Sequence, residues 1–314
     1  MNKAMKAARI HQFGPPDVIV IDELPRPTPG PGELQVRVAA AGVGPWDALI
    51  REHKSVVESP LPLTLGSDVC GVIEAVGAGV TDFELGEEVY GVTNQQFIGA
   101  YAEYALASAE MVARKPKSLS SLEAASAPVV AVTAWQMLFE HAEAKTGQTI
   151  LIHGAAGNVG AYAVQLAKNA GLKIFATAGP SDLEYVRRLG AEQIVNYKTT
   201  KFEDVVPPVD VVIDTVGGDT RERSFSVLKQ GGILVSVVSP FSETPQHRDV
   251  RSVFFIVEVT KARLDTISKL FEGGELISQV GTTVPLEEAC MAHEMLAGAP
   301  HKRGKIVLRV TDAT

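Results

Sequence analysis

Residues 149–160 read Thr149-Ile150-Leu151-Ile152-His153-Gly154-Ala155-Ala156-Gly157-Asn158-Val159-Gly160, and no other segment constrains the fold as strongly. The aliphatic run at its start is typical of a buried parallel strand, and helix formers follow from Ala161 to Lys168. The glycines between them match the dinucleotide fingerprint, with Ala155 in the place of the first glycine. A small residue at 157 lets the backbone approach a pyrophosphate, and the N–H groups of the helix start face its charge. The segment therefore predicts nucleotide binding.

The composition limits the class of protein. The chain has 314 residues, enough for two domains, with 46% hydrophobic and 21% charged residues. A net charge of -8 and a pI near 5.5 argue against binding to nucleic acid or to an anionic membrane. No apolar stretch approaches the roughly 20 residues of a membrane helix, and we expect no signal peptide. The two cysteines, Cys70 and Cys290, predict buried thiols in a reducing compartment, so we expect a cytoplasmic protein.

The first third of the chain alternates short strands with turns. A turn-rich connection at 25–32 precedes a period-two segment at 33–38, and further strands are predicted at 69–76 and 88–92. This pattern predicts an antiparallel, barrel-like domain with little helix.

From about residue 122 the pattern changes to alternating strands and helices. Helices are predicted at 130–141, 161–168 and 181–189, the last of them ended by Gly190. Six strands are predicted at 150–152, 173–177, 193–197, 209–214, 233–238 and 254–259. This order predicts a doubly wound parallel sheet. Helices at 263–271 and 287–296 and a strand at 305–310 follow, and we expect them to return to the first domain.

Several motifs in chain order carry a resemblance to one family. They are Gly14-Pro15-Pro16, Pro31-Gly32-Glu33-Leu34, Ala41-Gly42-Val43-Gly44-Pro45-Trp46-Asp47, Leu65-Gly66-Ser67-Asp68-Val69-Cys70-Gly71, Val76-Gly77, Gly99-Ala100-Tyr101-Ala102-Glu103-Tyr104, Thr133-Ala134, the glycine-rich turn, Gly190-Ala191 and Gly304-Lys305-Ile306-Val307-Leu308. The chain resembles the medium-chain dehydrogenase/reductase superfamily, specifically its zinc-independent quinone oxidoreductase (zeta-crystallin-like) branch. The resemblance implies an α/β fold in which a Rossmann domain at 125–259, a doubly wound parallel sheet, is inserted into a mostly antiparallel GroES-like substrate domain at 1–124 and 260–314. It also implies a site in the cleft between these domains and a homodimer.

The zinc-binding motifs of the superfamily are altered in this chain. The zinc alcohol dehydrogenases carry a cysteine where this sequence has Gly44, and Gly-His-Glu where it reads Gly66-Ser67-Asp68. The four-cysteine structural zinc lobe is also missing, because the chain has only two cysteines. Zinc needs three or four converging nitrogen, sulfur or oxygen ligands. We therefore predict an enzyme without zinc.

The chemistry expected without a metal is hydride transfer to a conjugated acceptor. A simple ketone lacks help in stabilising its developing alkoxide, whereas a quinone or enone delocalises that charge. The resemblance implies an oxidoreductase that uses NADPH to reduce a small quinone or an α,β-unsaturated carbonyl compound such as an enone or alkenal. Two alternatives stay open: an enoyl-thioester reductase, and an NADPH-binding structural or regulatory protein with little turnover. No protein group is assigned as proton donor, and solvent is the expected source.

The predicted cofactor contacts lie at the helix start and at strand ends. The pyrophosphate is expected at the N–H groups of Ala156, Gly157, Asn158 and Val159. Thr133 matches a family position near the nicotinamide, with a hydroxyl bonded to its own helix as the alternative. Three further predicted contacts lie at the carboxyl ends of strands, where open α/β sheets bind ligands: Val216, Val237 and Ser239. Ordinary packing at a strand end is the alternative for each.

The choice between NADPH and NADH depends on the end of the second strand. Ala176-Thr177-Ala178-Gly179 contains no acid to hold ribose hydroxyls, and Gly179, Ser181 and Tyr197 are predicted to contact the adenosine phosphate. Asp182 adds a negative charge, and Pro180 replaces a lysine that several relatives carry. NADPH is therefore favoured and NADH stays open. Lys302, Arg303 and Lys305 are interpreted as a solvated charge cluster, with a phosphate contact as the alternative.

The substrate side is less constrained by the sequence. Four apolar residues are predicted to line the acceptor pocket, with core packing as the alternative for each: Trp46, Ile50, Phe97 and Phe254. Asp47 is predicted to be a structural cap, and His53 an exposed loop histidine. The physiological acceptor is not determined by these residues.

Overall fold

A computed structural model describes residues 4–56, 60–241 and 249–311. The chain divides into two compact units. The first unit comprises residues 1–129 and 259–314, and the second comprises residues 130–258. No helix within the described ranges is long and apolar enough to cross a membrane.

The first unit is built mainly from antiparallel strands. Its strands are β1 (Ala4–Ile10), β2 (Ile19–Pro25), β3 (Glu33–Val43), β4 (Leu63–Thr64), β5 (Asp68–Val76), β6 (Glu88–Val92), β7 (Tyr104–Ser108), β8 (Val112–Arg114), β15 (Val280–Pro285) and β16 (Lys305–Arg309). They form a three-stranded sheet, β2-β1-β4, and a seven-stranded sheet, β15-β16-β3-β5-β6-β8, with β7 paired to β3. The β15–β16 pairing is parallel, and β16 runs antiparallel to β3. The C-terminal strand therefore does return to the first unit.

Helices also belong to the first unit, more than the sequence predicts. They are α1 (Pro45–Arg51), α2 (Ser121–Ala125), α7 (Lys261–Glu272) and α8 (Ala289–Leu296), with short 3₁₀ turns at Pro16–Val18, Ala109–Met111 and Leu286–Glu288. Helix α1 lies in a segment for which no helix was predicted. It begins at a proline, which is well suited to a first helical turn, and Asp47 accepts a hydrogen bond from the Gly44 N–H at 2.8 Å. Asp47 is thus a cap, as predicted.

The second unit is a doubly wound sheet. Its strands are β9 (Thr149–His153), β10 (Lys173–Ala178), β11 (Gln193–Asn196), β12 (Val209–Asp214), β13 (Leu228–Ser236) and β14 (Arg251–Phe254). All neighbours pair in parallel, in the order β11-β10-β9-β12-β13-β14. Central β9 is buried from Ile150 to His153, which matches its aliphatic sequence. The predicted sheet is confirmed.

The helices around this sheet are α3 (Pro128–Trp135), α4 (Asn158–Asn169), α5 (Leu183–Leu189) and α6 (Gly218–Ser224). A π-helix (Gln136–His141) continues α3, and 3₁₀ turns lie at Pro180–Asp182, Phe202–Asp204 and Phe225–Val227. Helix α3 begins in the first unit and ends in the second.

The strand predicted at 254–259 was wrong for most of its length. The pairing of β14 with β13 ends at Phe254. Beyond it the chain bonds to the π-helix instead, since the Glu258 N–H donates to Gln136 Oε1 at 3.0 Å and Phe255 packs on His141 at 4.1 Å. Apolar periodicity alone does not distinguish these two kinds of packing.

The cysteine prediction was correct for one residue only. Both thiols are free, and Cys70 is buried on β5, where desolvation raises its pKa to about 12. Cys290 is half-buried on α8 instead of fully buried.

Candidate functional site

The turn between β9 and α4 brings backbone into unusually close contact. Gly154 adopts a φ of 69°, a conformation that favours glycine. A Cβ on Gly160 would overlap the Gly154 carbonyl oxygen and lie 2.8 Å from Ala155 Cα. A Cβ on Gly157 would meet only the Gly154 oxygen, at 3.2 Å. Gly160 is therefore the position where any side chain prevents the helix from lying on the strand.

Helix α4 presents its positive end at this turn. Gly157 is its N-cap in extended conformation, and α4 starts with Asn158 and Val159. The first N–H groups of a helix have no partner inside the helix and, together with the helix dipole, attract anions. The Gly157 N–H donates to the Gly154 oxygen at 2.9 Å and is engaged within the turn. Ala156, Asn158 and Val159 thus remain the predicted pyrophosphate donors.

A buried histidine fixes this turn from below. His153 is fully buried at the end of β9, with Nδ1 3.1 Å from Thr177 Oγ1 and Nε2 2.9 Å from Ser224 Oγ. Ser224 donates its hydroxyl proton to the Thr220 carbonyl oxygen, so it accepts from His153 Nε2–H, and Nδ1 accepts from Thr177. Desolvation lowers the pKa of His153 to about 4. The imidazole is therefore neutral and joins β9, β10 and α6.

A second buried group shapes the turn after β12. Asp214 Oδ1 accepts the N–H groups of Val216 at 3.0 Å and Gly217 at 2.8 Å, while Oδ2 accepts from Ser236 at 2.7 Å. This carboxylate has no exposed surface. It holds the turn at the carboxyl end of the strand, and Val216 is left about half exposed.

These strand ends surround a cleft of about 670 Å³. Of the predicted cofactor residues, it is lined by Ala156, Gly157, Gly179, Tyr197 and Val216. The cleft is also lined by residues to which the sequence analysis assigned no cofactor contact: His153, Gly154, Thr177, Ala178, Asp182, Lys198, Thr199, Thr200, Lys201, Phe202, Thr220 and Arg223. The cleft lies at the carboxyl ends of the parallel strands, where such sheets bind nucleotides. Its position and its glycine cradle fit a bound nucleotide.

The rim of the cleft carries an unequal set of charges. Lys198 and Lys201 are exposed, and the Lys198 ammonium lies 5.2 Å from the centre of the Tyr197 ring. Asp182 supplies the opposing carboxylate. Its Oδ2 and the Tyr197 hydroxyl both lie beside Gly179, at 3.6 and 3.7 Å from the point where a Cβ on that glycine would stand. Arg223 is paired with Glu203 and Asp219. Basic residues at the end of β11 were the signal that the sequence analysis overlooked.

The other predicted cofactor residues do not line this cleft. Ser181 lies in the 3₁₀ turn before α5, and Thr133 is buried on α3. Val237 donates its N–H to the Asp214 carbonyl oxygen at 3.4 Å. Ser239 accepts from Arg221 through its carbonyl oxygen and its hydroxyl, at 2.8 and 3.1 Å. Their contacts with a cofactor stay predictions.

The predicted pocket residues are divided between the units. Trp46, Ile50 and Phe97 belong to the first unit, and Phe254 ends β14 in the second. Ile50 is buried in the core of the first unit, where the packing alternative holds. Phe97 is half-buried with a φ of 59°. Trp46 is half-buried and donates its indole N–H to Ser67 Oγ at 2.9 Å.

Lys305 overturns part of the interpretation of the tail. It is only 1% exposed, so it does not belong to a solvated charge cluster, whereas Lys302 and Arg303 are exposed. Its ammonium lies 3.0 Å from Asp68 Oδ2 and 4.1 Å from the centre of the Trp46 ring. Lys305 begins β16, which pairs with β15 at this residue and with β3 from Ile306 onward.

The positions that hold zinc in related dehydrogenases do not fit a zinc ion here. Gly44 offers no ligand, Ser67 accepts from Trp46, and Asp68 faces the Lys305 ammonium. The other Asp68 oxygen accepts the Val129 N–H at 3.0 Å. A cation already neutralises the one carboxylate, and no thiolate or imidazole is supplied by these three positions.

Comparison with known proteins finds relatives that match nearly the whole chain. Residues 30–117 match the alcohol dehydrogenase GroES-like domain, and residues 189–308 match the zinc-binding dehydrogenase family. The human quinone oxidoreductase is 30% identical, over 98% of this chain and 98% of that protein. The chain belongs to the medium-chain dehydrogenase/reductase superfamily, in its quinone oxidoreductase branch. A 2-haloacrylate reductase from Burkholderia sp is 34% identical, over 96% of this chain and 98% of that protein.

A solved relative shows the same architecture. The quinone oxidoreductase from Coxiella burnetii superposes with a TM-score of 0.89 at 34% identity, over 98% of this chain and all of that one. This member of the superfamily is thus an oxidoreductase that combines a GroES-like domain with an NAD(P)-binding Rossmann fold.

Proposed function

We propose that this chain is an NADPH-dependent reductase that transfers hydride, without zinc, to a quinone or to an α,β-unsaturated carbonyl compound. The observation that carries the proposal is the state of the three zinc-ligand positions, which hold Gly44, Ser67 and Asp68 with Lys305 against the carboxylate. The names of the relatives support the same acceptor classes, since they include quinone oxidoreductases and a 2-haloacrylate reductase.

The expected chemistry follows from the acceptor. When bound, NADPH would supply a hydride to the quinone or to the β-carbon of the unsaturated compound. The resulting anion is delocalised and takes a proton from solvent. The reaction therefore depends more on the positioning of the acceptor beside the cofactor than on a Lewis acid. The residues of the second unit would bind and orient the cofactor: the α4 start would hold its phosphate oxygens, and the His153 and Asp214 networks keep the flanking turns in place.

The preference for NADPH is supported by the rim charges. Lys198 and Lys201 both line the cleft with Tyr197 and offer two ammonium groups, against the single carboxylate of Asp182. A 2′-phosphate carries more negative charge than a ribose hydroxyl and gains more from these cations. We therefore propose that Tyr197 and Lys198 contact the 2′-phosphate.

The proposed assembly rests on the family resemblance, and the proposed location rests on the two free thiols, which are typical of a reducing compartment. On these grounds we further propose a cytoplasmic homodimer. Light scattering of the purified protein tests the dimer, and cell fractionation tests the location.

The test is oxidation of reduced cofactor by the purified protein. NADPH and NADH are compared with a small quinone, a linear enone, 2-chloroacrylate and a crotonyl thioester, each with and without a metal chelator. We expect turnover of the quinone or the enone with NADPH, unchanged by the chelator. Preference for the crotonyl thioester would instead identify an enoyl-thioester reductase. Saturable NADPH binding without turnover of any acceptor would contradict enzymatic function and favour a binding protein.

A further inference from the structure

The position of Trp46 depends on the absence of a side chain two residues earlier. Gly44 precedes α1, and a Cβ on this glycine would overlap ring carbons of Trp46. The indole therefore lies back over residue 44, in the volume that a larger residue there would occupy. The sequence change that removes a zinc ligand also makes room for an aromatic ring.

Two polar groups hold the indole in this place. The Lys305 ammonium lies over the ring, 4.1 Å from its centre, and Ser67 accepts the indole N–H at 2.9 Å. An ammonium over an aromatic face attracts it electrostatically, most strongly when water is excluded. Lys305 is 1% exposed, so this attraction acts in a dry environment. The ring is fixed both at its face and at its edge.

The lysine is itself fixed by its surroundings. Its ammonium pairs with Asp68 at 3.0 Å, and both side chains are buried to 2% exposure or less. Within the described ranges, neither the ammonium nor Asp68 Oδ2 has a conventional hydrogen-bond partner beyond this ion pair. Taking these two charges out of water carries a desolvation cost that only their pairing and their other contacts offset. The buried charge is thus directed at Asp68 and the Trp46 ring.

We propose that Trp46, positioned by Lys305 and Ser67, is a stacking platform that makes this reductase selective for planar ring acceptors over linear ones. This inference rests on the proposed function. Trp46 is half-buried and so keeps part of its surface accessible, while Lys305 and Ser67 are buried. Aromatic rings stack in offset geometry and gain more than their buried area alone provides. A quinone ring can stack in this way, whereas a linear enone offers a smaller face.

The test compares kcat/KM for a small quinone with kcat/KM for a linear enone. We expect Trp46→Leu to lower the quinone value about tenfold or more, through KM, and the enone value about twofold or less. Gly44→Ala should act in the same direction, because it displaces the indole without removing it. Lys305→Met should be intermediate, and Trp46→Phe should keep most of the quinone preference. Lys269→Met, an exposed lysine on α7, is the matched control.

Equal losses for both acceptors in Trp46→Leu, or no loss for the quinone, would overturn the proposal. Quinone binding, measured by quenching of tryptophan fluorescence, tests the proposal where a variant folds poorly or lacks turnover. The chain has two tryptophans, so Trp135→Phe leaves Trp46 as the only indole emitter. We expect saturable quenching by the quinone without NADPH, weakened in Trp135→Phe/Lys305→Met, and absence of quenching would contradict the platform. If the wild type reduces no acceptor, the proposed function fails, and the quenching alone decides on the platform.

Discussion

In the second unit Lys198 and Lys201 are exposed at the rim of a cleft, whereas in the first unit Lys305 is 1% exposed and paired with Asp68. Exposed cations interact with ligands through water, so their contribution is modest and falls with added salt. A buried pair instead shapes its surroundings, because removing one partner leaves an uncompensated charge. The comparison shows that the same side chain serves ligand choice in one unit and internal geometry in the other.

The largest effect is expected at the glycine cradle of the second unit. Gly160→Val places a side chain against the Gly154 oxygen and Ala155, so we expect cofactor affinity to fall about 100-fold or more. Gly157→Ala is the matched control, because its Cβ would meet only one oxygen at 3.2 Å. Cofactor fluorescence titration measures both. Equal losses in the two variants would contradict a role for close packing at residue 160.

The next largest effect is expected on the free energy of unfolding, from variants of the buried Lys305–Asp68 pair in the first unit. Lys305→Met leaves the Asp68 carboxylate unpaired, which typically costs about 3–5 kcal/mol. Lys305→Met/Asp68→Asn removes both charges and keeps an oxygen for the Val129 N–H, so it should regain at least half of that loss. Urea unfolding of the three proteins measures the difference. A double variant no more stable than the single one would show that charge pairing is not the cause.

The buried histidine of the second unit should produce a pH dependence. The folded-state pKa of His153 is about 4, below the usual 6.5, so its contribution to stability is complete above pH 6.5 and is lost as the pH falls toward 4. Each pH unit in that window costs about 1.4 kcal/mol for this group. His293 in the first unit, with a pKa of about 3, adds a slope of the same sign. His153→Gln should therefore make the fall shallower without abolishing it.

Unfolding free energies between pH 4 and pH 7 measure this prediction. NMR of the His153 ring provides a direct check, since the neutral imidazole should persist at pH 5. Protonation of that ring near pH 6 would contradict the assignment.

The smallest effect is expected at the rim. Lys198→Ala should weaken NADPH binding about three- to tenfold and leave NADH binding unchanged, because only NADPH carries the 2′-phosphate. Lys173→Ala, at the opposite end of β10, is the control. Titrations with both cofactors at two salt concentrations measure the effect. Equal weakening of NADPH and NADH would place Lys198 elsewhere on the cofactor.

Strong local patterns made most of the second unit predictable. Strands at 149–153, 173–178 and 209–214 were expected almost to the residue, because each is a mainly apolar run that is buried for most of its length. The cradle was predictable for a similar reason, since glycine spacing reflects backbone contact within one turn. Helix α1 was missed because it is short and begins in a motif without helical periodicity.

Long-range contacts explain why the substrate side was harder to predict from the sequence. Trp46 and Lys305 are separated by most of the chain, and no spacing rule joins them. Lys305 looked like a surface residue beside Lys302 and Arg303, yet it is buried at the start of β16, a strand that lies between β15 and β3. Residues brought together by sheet register leave no periodic signal in either segment.

The sequence by itself determined the superfamily, the Rossmann sheet, the glycine cradle and the altered zinc positions, because each is carried by short motifs or strands whose own residues are close together in the chain. Only the tertiary structure decided that Lys305 is buried against Asp68, that Trp46 takes the space over Gly44, and that Lys198 and Lys201 share a rim with Asp182. These features depend on which strands pair and where the strands end, and burial then sets the strength of every charge involved.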